Sequence, residues 1–272
     1  MERLDAKHGI AFAKHLYSSR RTAMFPSALI SSLQTIAPFE IFTVTLFSSN
    51  RPPIFLDGNL QDFVSQAIID KFLSGTYLLD AVYTACCAKV LPGLYRLSEL
   101  APDNYFSSEF YNSSDFHPCV SEDAGSLAEE IVYMAQPIDN VYLVISLMRR
   151  NGMQAFDSIE FENLKLLEPV ILETSVEHWR GESEKFLKPD LPKSESTLEK
   201  AFVTFAKEKL SPREQTIVSL LLRGHSTLSV AHNLDIAEGT AKVHRRNIYD
   251  KLRITSQAEM FLMFCSHVID TK

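Results

Sequence analysis

The stretch Leu210-Ser211-Pro212-Arg213-Glu214 spells a helix start in side-chain chemistry, and the residue pattern C-terminal to it leaves little choice of fold. Ser211 offers an N-cap oxygen, and Pro212 suits the first helical position, where an N–H would have no partner anyway. Glu214, three residues after the cap, can bond back to the cap backbone. Ile217, Leu220 and Leu221 come next at helical spacing and Gly224 ends the run. Ser226 begins a second short helix that carries Val230, Ala231 and Leu234 inward, a third is predicted over 238–252 and a fourth over 256–268. Four short helices, the second and third separated by a tight turn, make a helix-turn-helix unit.

The third helix carries the chemistry. Helical periodicity puts Ala241, His244, Ile248 and Leu252 on one core-facing stripe, with His244 as a structural histidine. Opposite them stand Gly239, Lys242, Val243 and Arg246, flanked by Arg245 and Tyr249. An isolated K-x-x-R-R is ordinarily a solvated basic face. Behind a helix and a turn it suits entry into a major groove: the cations reach phosphates or guanine edges and Val243 can meet a thymine methyl.

Net charge at first argues otherwise, since the chain of 272 residues carries −7. Residues 209–272 hold nine Lys or Arg against six Asp or Glu, so this end is +3 and the remainder −10. Ends of opposite sign imply two domains with different partners. The stretch 180–196, with Gly181, Pro189 and Pro192 among Lys, Glu and Ser, has no clear period. The expected division is a regulatory domain over 1–180, a linker over 181–197 and a DNA-binding domain over 198–272.

At 46% hydrophobic residues, disorder is excluded. No apolar run reaches membrane-spanning length and the start lacks a basic-then-apolar leader, so the expectation is a cytoplasmic protein, at the nucleoid when bound to DNA, without a membrane partner. Four cysteines without a C-x-x-C read as reduced thiols. Cys86 and Cys87 are neighbours that cannot face one another on a helix. G-x-S-x-G, G-x-x-x-x-G-K and H-E-x-x-H are all missing, so no enzyme, catalytic residue, cofactor or metal site is expected.

Residues 210–261 resemble the LuxR/NarL type of bacterial DNA-binding module. The likeness lies in L-S-P-R-E at 210–214, L-L-R-G-H-S at 221–226, G-T-A-K-V-H-R-R-N-I at 239–248, K-L-R-I at 251–254 and S-Q-A-E at 256–259. It implies a four-helix module that binds double-stranded operator DNA as a homodimer, with RNA polymerase as a further partner. Lys242, Val243 and Arg246 would enter the groove, while Thr240, Arg245 and Asn247 would start the helix or reach the backbone. The fourth helix would form a dimer contact, for which Met260, Met263 and Phe264 are the candidates off its core stripe of Ala258, Phe261, Cys265 and Val268. Packing of that helix on the other domain is the competing expectation. Three positions depart from the pattern: Ala237 stands where a Ser cap is usual, Leu228 and Ser229 where a basic residue and Glu are usual, and Ala241 where Val is usual. A missing cap costs about 1 kcal/mol.

The N-terminal part reads as an α+β domain. Helix is predicted over 5–36, broken near Pro26, then a strand over 39–48 ended by Asn50-Arg51-Pro52-Pro53. Helices over 60–72 and 78–89, strands over 130–136 and 140–149 joined by a turn, and a helix over 157–179, begun by Asp157 with Glu160 three residues on, leading to the linker and carrying a signal, complete the pattern. The layout resembles GAF or PAS sensor domains, and the run at 91–102 is similar to N-terminal regions of LuxR-type regulators. That resemblance implies an aromatic-lined pocket for a small molecule of unknown identity, with Tyr77, Asp80, Tyr83 and Tyr95 as candidates. Asp57 imitates a phosphate-accepting aspartate, but the acidic pair and lysine such a domain needs are not in place, so Asp57 reads as a turn residue. An acyl-homoserine-lactone pocket would need tryptophans, and the single Trp, Trp179, lies in the exit helix. The functional expectation is a transcriptional regulator whose first domain controls operator binding. The alternative is a protein-binding adaptor with a weak DNA-binding tail that needs recruitment.

Overall fold

In the computed structural model, residues 3–49, 51–109, 111–112, 127–187 and 197–270 are described. Helices α1 (Ala6–Ser19) and α2 (Phe25–Ile36) lead into a hairpin of β1 (Ile41–Ser48) and β2 (Arg51–Gly58). Next come α3 (Gln66–Ser74) and α4 (Ala81–Cys87), each preceded by a 3-10 turn, then β3 (Gly93–Arg96), α5 (Leu97–Leu100) and another 3-10 turn at Tyr105–Ser107. The long hairpin β4 (Leu127–Ile138) and β5 (Val141–Arg150) closes the sheet, followed by α6 (Ser158–His178) and α7 (Arg180–Phe186). From there the described chain is helical: α8 (Thr197–Thr204), α9 (Pro212–Leu222), α10 (Thr227–Asn233), α11 (Glu238–Leu252) and α12 (Gln257–Asp270).

The five strands form one antiparallel sheet in the order β2-β1-β5-β4-β3. Side chains alternate across it. Phe42, Val44, Leu46, Tyr133 and Ile145 join a cluster with Leu16, Leu29 and Leu164, so α1, α2 and α6 cover this face. Phe47, Val132 and Val144 turn the other way, toward residues of α4 and its preceding turn. Burial on both faces explains why β1 is buried at every position. Arg149 ties the layers together: it donates to Glu160 at 2.7 and 2.9 Å and to the Pro38 carbonyl at 2.8 Å. Asp157 and Glu160 close the expected capping box of α6, and Pro26 falls in the first turn of α2.

Several details differ from the sequence expectations. Arg51-Pro52-Pro53 opens β2 instead of ending the strand before it, because β2 is a sheet edge, where a proline forfeits no ladder bond. β3, only four residues long, was not anticipated. The helices predicted over 60–72 and 78–89 are displaced, with 3-10 turns at Leu60–Asp62 and Thr76–Leu79. The first part of the expected linker is the helix α7, whose Ser183 and Phe186 are buried. Residues 188–196 of that linker lie outside the described residues. No helix among the described residues is long and apolar enough to cross a membrane.

Candidate nucleic-acid interface and ligand cavity

The helical part is built as its cap chemistry dictates. The Ser211 hydroxyl accepts from Glu214 N–H at 3.3 Å, while Ser211 N–H donates to Glu214 at 2.8 Å. Glu214, only 4% exposed, also accepts from Lys251 Nζ at 2.7 and 2.8 Å, which ties the start of α9 to the end of α11. Burial pushes the Glu214 carboxyl up, yet the bonds from Lys251 and Ser211 outweigh it and hold the group below its ordinary value. Ser226 caps α10, and Ala237 precedes α11 without a side-chain cap.

On α11, Ala241, Ile248 and Leu252 are buried and His244 is half-buried. Thr240, Lys242, Val243, Arg245, Arg246 and Asn247 are all exposed, Val243 by 57%. Lys242 meets Glu238 at 2.7 Å and Arg246 lies 4.0 Å from Asp250. These exposed i,i+4 pairs are weak enough for phosphate to displace. Arg245 donates to the Thr227 hydroxyl at 2.8 Å, fixing α11 against α10. Leu228, at the position where a basic residue was expected, is 47% exposed.

The fourth helix corrects one expectation. Met260 and Phe264 are enclosed within the protomer, where the Phe264 ring lies 4.6 Å from Phe202 and 5.3 Å from Phe205. Helix α8, unseen in the sequence, supplies the Phe202 ring over Phe264, and both Met260 and Phe264 are buried where an exposed contact was expected. Met263 is half-buried and Leu262 is exposed. The side chains of Cys265 and Val268, expected on the core stripe, lie outside the described residues.

The two parts touch directly. Arg223 Nε donates to the Leu78 carbonyl at 3.1 Å and Asn104 N–H to the Gly224 carbonyl at 3.1 Å. Asp103 accepts from Ser226 N–H at 2.9 Å and from its hydroxyl. These bonds come from the turn between α9 and α10, and α8 packs on the 3-10 turn at Thr76–Leu79 as well. Gly224, at φ +91°, lies flat against Tyr105.

Between the sheet and α3/α4 lies a small, partly open cavity of about 40 Å³. Thr43, Thr45 and Ser146 reach it from β1 and β5, Glu130 from β4 and Asp80 from the start of α4. Thr43 and Ser146 are direct register partners, so they form a polar spot in an otherwise apolar sheet. Asp80 accepts from the N–H groups of Val82 and Tyr83 at 2.7 and 3.0 Å, and the packing around its carboxyl raises it to about 6 in spite of those bonds. Burial and the nearby Asp80 charge raise Glu130 to about 8.

Of the four pocket residues expected, Asp80 alone lines this cavity. Tyr77 and Tyr83 pack edge to face at 4.9 Å behind it, and the Tyr95 hydroxyl donates to the Leu91 carbonyl instead. Glu130, Thr43, Thr45 and Ser146 were missed. A carboxylate and three hydroxyls inside strands of otherwise apolar residues were the available signal.

Residues 208–264 match the family of bacterial regulatory proteins, luxR family. An HTH-type transcriptional regulator from the exeN 3′ region of Aeromonas salmonicida is 30% identical over 145 residues, which span 52% of this chain and 74% of that protein. The chain belongs to the luxR family of bacterial regulators. The response regulator protein TodT of Pseudomonas putida is 47% identical over 49 residues, 18% of this chain and 22% of its own length. Among solved structures, this LuxR-family chain shares its fold with the VqsR LBD domain from Pseudomonas aeruginosa, at a TM-score of 0.52 and 19% identity over 63% of this chain and 96% of that one. That fold is the N-terminal α+β part of the regulator, and the GAF or PAS resemblance is a narrower reading than this likeness carries.

Proposed function

We propose that this LuxR-family regulator binds double-stranded operator DNA as a homodimer, with α11 in the major groove and Lys242, Val243 and Arg246 reading bases. The observation that carries this reading is the exposure of those three residues on a helix whose opposite face is buried. Thr240, Arg245 and Asn247 flank the reading face and contact phosphates. The functional division is a sensor over 1–180, a connection over 181–197 and a DNA-binding domain over 198–272. The sensor, a GAF/PAS-like arrangement of sheet and helices, holds a small molecule in the cavity beside Asp80. Occupancy alters the start of α4 and the adjoining Leu78 and Tyr105, and through them the turn at Gly224.

Fluorescence anisotropy with the full chain and a labelled fragment from upstream of its own gene tests the reading. Affinity that falls steeply as salt rises supports direct binding through phosphates. The adaptor reading, favoured by the exposed Leu228 and the uncapped Ala237, is chosen instead if the purified chain binds no such fragment with or without small-molecule extract.

A further inference from the structure

Helices α1 and α6 run side by side in the same direction. At one end Arg3 meets Glu162 at 3.1 Å and Leu4 N–H donates to Asn163 at 2.9 Å, and at the other Tyr17 donates to Glu173 at 2.6 Å. Ile10 lies two turns before Tyr17, on the same edge of α1, and this ladder sets it level with Leu166. Both are exposed, Ile10 by 69% and Leu166 by 65%. Single exposed apolar residues are ordinary, but two together on one face mark a contact surface.

The apolar stripe of α6 continues from Leu166 at steps of three and four residues, through the exposed Pro169 to the half-buried Leu172 and Val176. These last three line an open groove of about 850 Å³, which Glu177 and Arg180 edge. One helix face therefore carries a projecting patch in its first half and a groove in its second. The charges along it reverse about the same centre, with Glu162 and Lys165 before it and Glu177 and Arg180 after it. When two copies of α6 cross antiparallel about a point level with Ile171, Glu162 faces Arg180 of the second copy and Lys165 faces its Glu177. Leu166 then enters the groove beside Val176 of that copy. A parallel pairing would set Glu162 against Glu162 and Arg180 against Arg180. The face is thus complementary to itself in the antiparallel sense, as a two-fold contact requires. Within the chain Glu162 and Lys165 are paired with Arg3 and Glu168, contacts exposed enough to exchange.

We propose that the α1/α6 face is the surface through which two copies of this chain pair, with Ile10 and Leu166 of each copy seated against Leu172 and Val176 of the other. The proposal rests on the reading of the chain as a homodimer and names where it pairs. It places the contact in the N-terminal part, in keeping with the burial of Met260 and Phe264 on α12.

Sedimentation of the full chain over a concentration series, alone and with the upstream DNA fragment, tests it. Leu166 and Arg180 are exposed and Glu162 holds only an exposed pair, so changes there keep the fold, which circular dichroism verifies. Leu166→Asp is expected to weaken the dimer at least about tenfold, and Glu162→Arg and Arg180→Glu by about threefold to tenfold each. The double variant with Glu162→Arg and Arg180→Glu should return to within about twofold of the wild type, because the pair is reformed with its charges exchanged. Leu166→Asp without effect, charge reversals without effect, or a double variant no tighter than the singles overturns this surface and leaves the homodimer in place. A chain that is monomeric alone but binds the fragment as two copies does the same. A chain that is monomeric both alone and on DNA overturns both.

Discussion

A Cβ placed on Gly224 would lie 2.7 Å from the Cα of Tyr105, closer than any side chain tolerates, so the turn between α9 and α10 packs backbone to backbone on the N-terminal α+β part. The approach is possible only without a side chain, and the φ of +91° asks for glycine as well. Around this point Asp103 holds Ser226, and Arg223 reaches Leu78. The capping residue of α10 is thereby fixed by a carboxylate of the other domain, while the basic face of α11 stays exposed.

Gly224→Ala is expected to break this docking. The left-handed backbone costs about 1–2 kcal/mol for alanine, and the contact with Tyr105 must open in addition. Hydrogen exchange should rise in residues 103–105 and 224–226 with the sheet unaffected. Exchange and stability equal to the wild type would show that the domains do not dock through this turn.

Glu130 makes the stability of the protein sensitive to pH. Its carboxyl stands at about 8 in the fold against an ordinary 4.5, so the unfolded chain ionises first as pH rises. Its contribution to stability is full below 4.5 and is lost progressively as pH rises toward 8. Urea unfolding across that range should show the decline, and Glu130→Gln should flatten it. A wild-type profile parallel to that of the variant would count against a carboxyl held in this way.

Glu214 has the opposite sign. Its carboxyl is held below the ordinary 4.5, so its contribution is present above that value and is lost as pH falls through the folded value. Glu214→Ala removes a helix cap and two bonds from Lys251, a loss of about 2–3 kcal/mol after allowing for the partly exposed lysine. Denaturant unfolding of the full chain checks it, with a loss under about 0.5 kcal/mol contradicting the account.

How legible these features were depends on how local their causes are. The capping boxes at Ser211 and Asp157 and the hairpin of β4 and β5 rest on neighbouring residues, and the sequence predicted them. The stripe of α11 was legible because a 3.6-residue period sorts its residues without reference to the rest of the fold. β2 was hidden by Pro52 and Pro53, whose tolerance comes from an edge position that only the assembled sheet defines. The burial of Phe264 depends on α8, and the cavity depends on residues as distant in sequence as Thr43, Asp80, Glu130 and Ser146. Aromatic residues drew attention to Tyr77, Tyr83 and Tyr95, while the hydroxyls that face the cavity looked like ordinary strand residues.

The central claim is that α11 reads operator DNA through Lys242 and Arg246, and the most direct measurement compares wild type, Lys242→Ala and Arg246→Ala on the same upstream fragment and on an unrelated one. Both side chains are exposed, so neither change should disturb the fold, which circular dichroism verifies. Each variant is predicted to lose about 1–3 kcal/mol of binding to the specific fragment and to discriminate less between the two. Unchanged affinity and unchanged discrimination in both variants would contradict it.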